Sequence, residues 1–318
     1  MLKKQVVMKR LLALIILMYF INSCDDGNVT VQNISFESID GAACNSIVYK
    51  IKNNEIMFVQ IADFAAAFLN DQTLLNQPRV LNIGNGNAVS YRSYNGLASA
   101  ANICSSPPAT KPDVIEEWTA TGGTIEITTT INKSVNTTTN ATTIAGYNHF
   151  IVFKNITFSK PNGIQFYDVF NFGFYKTTLT TQLNVNFPTN FQVCTSGTNN
   201  IISNRIGNGT LISYANVPNN INNTVGVKTA AISATNPLYY RLFSALDTNS
   251  YLCSSTFTAA ANTLTQEWTA TSGTVEIKTE TSGPTSFKHT LTLKNVNLAR
   301  GNSTFYLGDS FSLGEYLN

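Results

Sequence analysis

Two histidines, two tryptophans, four repeated glutamates and five cysteines are the residues of this chain whose types could do chemistry. Imidazole can hold a metal or move a proton near neutral pH. His149 and His289 each open an alternating run, with Ile151 and Phe153, or Leu291 and Leu293, two and four residues on. Side chains two apart share one face of a strand. Both rings are therefore expected to turn toward the sheet packing or its rim as hydrogen-bonded, half-buried structural groups, with metal ligation or acid–base work as the alternative. Glu117 and Glu126 recur as Glu267 and Glu276. A glycosidase needs two carboxylates roughly 5–10 Å apart across a cleft. Glu126 alternates with Ile125 and Ile127, which predicts a solvated strand face instead. Trp118 and Trp268 either pack in a core near a disulfide or offer a stacking platform, and so are the candidate ligand-binding residues.

What positions these residues is an internal duplication. Glu116-Glu117-Trp118-Thr119-Ala120-Thr121 returns as Gln266-Glu267-Trp268-Thr269-Ala270-Thr271, an offset of 150. Cys44 answers to Cys194, Tyr91-Arg92 to Tyr240-Arg241, and Cys104-Ser105-Ser106 to Cys253-Ser254-Ser255. His149 through Ile156 answers to His289 through Val296 at an offset of 140. The first copy thus holds ten extra residues, placed in the polar stretch 132–148, which reads as loop. Five blocks in one order define two homologous domains, residues 29–176 and 177–318.

Each copy reads as strands with Gly/Asn/Pro turns. Ser282-Gly283-Pro284-Thr285 marks a hairpin. Pairing Ile277 with Leu291 places Val275 against Leu293 on one face and Glu280 against Lys288 on the other. Ile56–Leu69 is read as strand or short helix, and its counterpart near Ile206–Val217 as strand and turn. The expected fold is all-β, two tandem β-sandwich domains of immunoglobulin-like or jelly-roll type, with two lipocalin-like barrels as the alternative. Phe166, Phe170, Phe172 and Phe174 form an alternating aromatic face, expected in the core, with an exposed or inter-domain patch as the alternative. The second copy has Phe311, Leu313 and Glu315 at the last three of these positions.

The amino terminus carries Lys3, Lys4, Lys9 and Arg10, then the apolar run Leu11–Ile21. That run suits a signal peptide and is too short to span a bilayer. Ile21-Asn22-Ser23-Cys24 follows and resembles the lipobox of bacterial lipoproteins, with Asn22 departing from the commoner small residue at its place. The resemblance implies a cleaved signal at 1–23, diacylglyceryl transfer to the Cys24 thiol and acylation of the new amino terminus with fatty acids such as palmitate. Residues 24–28 would be the lipidated cysteine and its tether. Multiple acyl chains would give lasting attachment. Asp25-Asp26 resembles sorting signals of either envelope membrane, and the outer membrane is the expected address.

With Cys24 lipidated, four cysteines remain. A domain that once stood alone can pair only within itself, so Cys44 with Cys104 and Cys194 with Cys253 are the expected disulfides. Export is compatible with them. Zinc would want Cys-x-x-Cys or a nearby histidine pair, and neither is present.

Only 12% of residues are charged, against roughly 25% in average chains. Loss of the four leader cations takes the formal charge from +2 to −2. No basic face argues for nucleic acid. Phosphate loops, Gly-x-Ser-x-Gly, HExxH and EF-hand loops are missing from the sequence, and no cofactor or metal is expected. The expected role is a non-enzymatic binding or structural lipoprotein, whose expected partners are a membrane and a glycan or envelope protein. Its organisation resembles that of outer-membrane glycan-binding lipoproteins and adhesins. A hydrolase of polysaccharide or peptide using Glu117 or Glu126, and an accessory subunit with an apolar patch near Phe170–Tyr175, are the alternatives.

Overall fold

The computed structural model describes residues 33–179, 183–196, 199–207, 209–217, 221–244 and 264–318. The expected signal segment, Cys24 with its tether, and Cys253 lie outside the described residues. Phe36–Asn318 form one compact unit. It is nearly all β, with two antiparallel sheets that do not close into barrels, consistent with two β-sandwich domains. The barrel alternative is thereby set aside.

The first sheet holds β1 (Ala42–Cys44), β2 (Ile47–Lys52), β3 (Glu55–Gln60), β4 (Arg79–Asn82), β5 (Ala88–Tyr94), β6 (Val114–Val135), β7 (Thr142–Lys160) and β8 (Gly163–Thr178). The order is β1-β2-β3-β5-β6-β7-β8, with β4 on the far half of β6. Ile56–Leu69 resolves into β3 followed by one helical turn, Phe64–Ala67, capped by Asp63.

The second sheet repeats this plan with β9 (Gln192–Ser196), β10 (Asn199–Ile206), β11 (Thr210–Val217), β12 (Gly226–Ala231), β13 (Leu238–Phe243), β14 (Leu264–Thr281), β15 (Phe287–Arg300), β16 (Ser303–Tyr306) and β17 (Ser310–Leu317). β9-β10-β11-β13-β14-β15 run side by side, β12 flanks β14, and β16 and β17 together take the place of β8. Register makes the equivalence residue by residue. Trp118 pairs with Tyr91, Tyr91 with Met57 and Met57 with Lys50. Trp268 pairs with Tyr240, Tyr240 with Ile212 and Ile212 with Asn204. The β14–β15 hairpin has Val275 against Leu293, Ile277 against Leu291 and Glu280 against Lys288, the register read from apolar alternation.

The ten extra residues of the first copy are not a loop. β6 runs on to Val135 and β7 starts at Thr142, so the stretch 132–148 is mostly a hairpin extension with a short turn. Its apolar positions Ile144 and Tyr147, with Ile131 just before it, are buried among Tyr240, Trp268, Leu291 and Phe305 of the second sheet. Backbone and side chains stitch the seam: Ile131 N donates to Ser303 Oγ at 3.1 Å, Tyr306 N to Thr142 Oγ1 at 2.7 Å and Asn302 Nδ2 to Thr129 O at 3.0 Å. Arg300 pairs with Asp71. Polar Thr and Asn on the outward positions conceal an apolar face that only the other repeat completes.

The last strand of each copy carries the same bulge. Ile151 pairs with Gly173 but Val152 with Asn171, and Leu291 pairs with Gly314 but Thr292 with Ser312. The extra residue reverses which side chains face inward. Phe170 and Phe172 are buried while Phe174 is 41% exposed, so the aromatic row of the sequence is split between two faces. Gly173 (φ +93°) is needed there, since a Cβ would lie 2.6 Å from both Glu37 O and Lys50 Nζ. Buried Lys50 donates to Phe36 O at 3.1 Å and Glu37 O at 3.4 Å. Asn204, its register equivalent, donates to Pro188 O at 2.7 Å and Leu313 O at 2.8 Å. Asn204 thus ties the segment ahead of β9 to the last strand by hydrogen bonds, whereas Lys50 bonds only the segment ahead of β1 and sets its ammonium over the Phe172 ring of β8, 5.0 Å from the centroid.

Candidate functional site

Most of the repeated residues are spent on structure. Trp118 and Trp268 are fully buried, so neither is a stacking platform for a ligand. Trp118 packs on Tyr91 (4.8 Å between centroids) and Phe158, and Trp268 on Phe305 (5.0 Å). A buried indole N–H needs an acceptor. Glu116 Oε1 supplies it at 2.8 Å in the first copy and Gln266 Oε1 at 3.1 Å in the second. The Cys44–Cys104 disulfide lies elsewhere, beside Ile56, Phe58, Tyr94 and Ile103. Met57 and Tyr91 share the Trp118 face, whereas Ile56 and Phe58 share the other. The expected tryptophan–disulfide packing is therefore replaced by two separate clusters, one on each side of the sheet. Cys194 is also disulfide-bonded.

Glu117 and Glu126 stand nine residues apart on β6, about 30 Å of strand at ~3.3 Å per residue. Glu117 pairs with Arg92 at 2.9 Å, and Glu126 faces outward opposite Val80 and Val152. They do not flank one cleft. Glu267 likewise pairs with Arg241, at 2.6 Å.

His149 and His289 are both fully buried. Arg79 Nη1 donates to Thr129 Oγ1 at 2.6 Å, and Thr129 Oγ1 lies 2.9 Å from His149 Nδ1. Arginine can only donate, which leaves the Thr129 proton free for Nδ1. On the far side Nε2 lies 3.2 Å from Thr177 Oγ1, which donates to Asn70. This network assigns the neutral tautomer with its proton on Nε2. Burial, with Arg79 nearby, pushes the His149 pKa down to about 4. His289 repeats the pair with Thr279 Oγ1 at 2.9 Å, and burial lowers its pKa too. Each ring stacks on a tyrosine of the last strand, Tyr175 or Tyr316. Among the described residues no group of three His, Cys, Asp or Glu gathers to hold a metal.

An open concave surface with convergent polar groups lies where the strands of the second sheet are bulged. Ser272 pairs with Asn297 and Thr274 with Lys294, with register shifts on either side of Ser272. Gly273 (φ +122°) forms the floor, because a Cβ would meet Val296 Cγ2 at 2.6 Å and Lys294 O at 3.0 Å. The resulting cleft, about 590 Å³, is lined by Ser272, Thr274, Lys294, Asn295, Asn297 and Tyr306. Asn297 Nδ2 donates to Ser272 Oγ at 3.2 Å and Lys294 Nζ to Ser310 Oγ at 3.0 Å. The Tyr306 hydroxyl lies 2.8 Å from both Asn295 Oδ1 and Asp309 Oδ1. Asp309 in turn accepts from Asn140 Nδ2 at 2.8 Å, and its N–H donates to Thr139 O at 3.1 Å. The hairpin turn of the first copy thus buttresses a cleft in the second. Sequence reasoning passed over all of these residues. The signal available to it was the repeated Gly273/Gly123 and Lys294-Asn295/Lys154-Asn155, left unexplained by apolar alternation.

Comparisons with protein-family models, with curated proteins and with solved structures give no match to this chain.

Proposed function

We propose that this chain is a lipid-anchored protein of the bacterial envelope with a non-enzymatic binding role, exerted at the cleft of the second sheet. One observation carries the reading. The repeated tryptophans and histidines are buried in packing, whereas the cleft presents an amide pair, hydroxyls and an ammonium to solvent on a floor set by backbone. Polar groups held on rigid strands are suited to recognition. The lipobox-like Ile21–Cys24 supports the anchor, and the tether would hold the cleft near the membrane surface. Screening the exported protein on glycan and peptide arrays tests the role, with Tyr306→Ala and Asn297→Ala as site variants. Retained binding in both would refute the cleft as the site. Labelling with a palmitate analogue, lost in Cys24→Ala, tests the anchor.

A second reading, an accessory subunit of an envelope assembly, is favoured by β8. Ile164 (69%), Phe166 (55%), Val169 (47%) and Phe174 (41%) are exposed along it, and clustered exposed apolar side chains mark protein contacts. Cross-linking from Phe166 to a discrete partner in cells would favour that reading over the first.

A further inference from the structure

We infer that the cleft of the second sheet is a saccharide site selective for a sugar bearing an acidic group. The inference rests on the binding role proposed above and names its ligand class.

The two copies supply an internal comparison. Register places Gly122 where Ser272 stands, Thr157 at Asn297 and Phe166 at Tyr306, while Thr124, Lys154 and Asn155 match Thr274, Lys294 and Asn295. Both copies build the same bulge over a positive-φ glycine, Gly123 or Gly273. The fold therefore needs the glycine and the bulge, but it does not need the serine, the amide or the phenol. Those three polar groups are present only in the second copy, and all converge on one cleft.

Their chemistry fits a polyhydroxylated ligand. Amides and hydroxyls can each donate and accept, as sugar hydroxyls do, and a tyrosine adds a ring edge with a polar tip. Lys294 supplies the charge. Among the described residues it has no carboxylate within salt-bridge distance, and its hydrogen bond goes to the neutral Ser310. Asp309, the nearest acid to Tyr306, is already held by Tyr306 and Asn140. An exposed ammonium beside neutral amides favours a carboxylate, phosphate or sulfate on the sugar. The Asn140 contact also gives the ten-residue insertion of the first copy a place beside the site.

The test uses the mature lipidated protein in detergent, on an array of oligosaccharides carrying carboxylate, phosphate or sulfate and their neutral counterparts, with titration calorimetry on the hits. Lys294→Gln is expected to weaken binding of acidic members at least about tenfold and to change neutral members less than about twofold. Tyr306→Ala and Asn297→Ala are expected to weaken both, and Thr157→Ala, at the equivalent place in the first copy, neither. Lys294 and Asn297 are surface positions, and an unchanged Tm certifies that each variant is folded. Acidic sugars bound equally well by Lys294→Gln would overturn the charge selectivity. Peptides bound through Tyr306 and Asn297 with no sugar bound would overturn the ligand class and leave the binding role standing. No ligand on either array would overturn both.

Discussion

Arg241 and Glu267 form an ion pair in which the arginine side chain is only 4% exposed, whereas Arg92 and Glu117, the same pair in the first copy, are 28% and 43% exposed. Arg241 also donates to Ser213 Oγ at 3.0 Å, and burial lowers its pKa against the opposing pull of Glu267. Removing one partner of a buried pair strands a charge, while an exposed pair contributes little. Glu267→Gln should therefore cost about 2–3 kcal/mol in urea unfolding, the figure reduced because Glu267 keeps some solvent. Glu117→Gln should cost less than about 1 kcal/mol. Equal costs would show that burial does not distinguish the two pairs.

Acid should weaken the fold through His149. Its folded pKa of about 4 lies below the ordinary 6.5, so between these values the unfolded chain binds a proton that the native state refuses. Stability is then fully present above pH 6.5 and is lost as pH falls toward 4, by about 3 kcal/mol for this residue. The urea midpoint measured from pH 7 to 4 should show that slope. His149→Gln should flatten it without abolishing it, because His289 titrates in the same direction.

The seam between the copies predicts shared cooperativity. Ile131 belongs to the first repeat but is buried in the core of the second. Ile131→Ala should cost about 2–4 kcal/mol and lower a single thermal transition. A calorimetric trace splitting into two transitions in the unsubstituted protein would show that the seam does not couple the sheets.

The disulfide Cys44–Cys104 closes a loop of sequence separation 60. In the chain-entropy model such a loop contributes about 4 kcal/mol. Cys44→Ser with Cys104→Ser should lose much of that, and the loss should be absent if the unsubstituted protein is assayed already reduced.

Legibility in the sequence followed the range of the forces involved. Alternation and cross-strand charge gave the β14–β15 register to the residue, because both partners lie within one hairpin. The inward turn of His149 and His289 followed from their i+2 and i+4 neighbours. The hairpin extension at 132–148 escaped because its apolar residues are sparse, and their partners lie some 100 to 170 positions away in the other repeat. Bulges were invisible for a related reason. An extra residue such as Phe172 or Leu313 leaves composition unchanged yet reverses the faces beyond it, exposing Phe174. The cleft depends on another such shift, at Ser272.

Lys50 repeats the sign of the His149 prediction in an alkaline window. Burial lowers its pKa from 10.5 to about 8, so between these values the unfolded chain again holds the extra proton. The Lys50 contribution should rise by up to about 3 kcal/mol as pH increases from 8 to 10.5, and it is read best below about pH 9, because burial holds Tyr91, Tyr94 and Tyr214 above their ordinary value and these oppose it at higher pH. Lys50→Met should remove that rise and also leave the Phe36 and Glu37 carbonyls without their donor, a cost of about 1–3 kcal/mol at neutral pH. Gly173→Ala attacks the same junction from the other strand. A methyl group 2.6 Å from Glu37 O at φ +93° forces the segment off the sheet, and hydrogen exchange at Gly41, whose N–H donates to Phe174 O at 3.0 Å, should accelerate. Unchanged protection at Gly41 in Gly173→Ala would show that the segment is held without this junction.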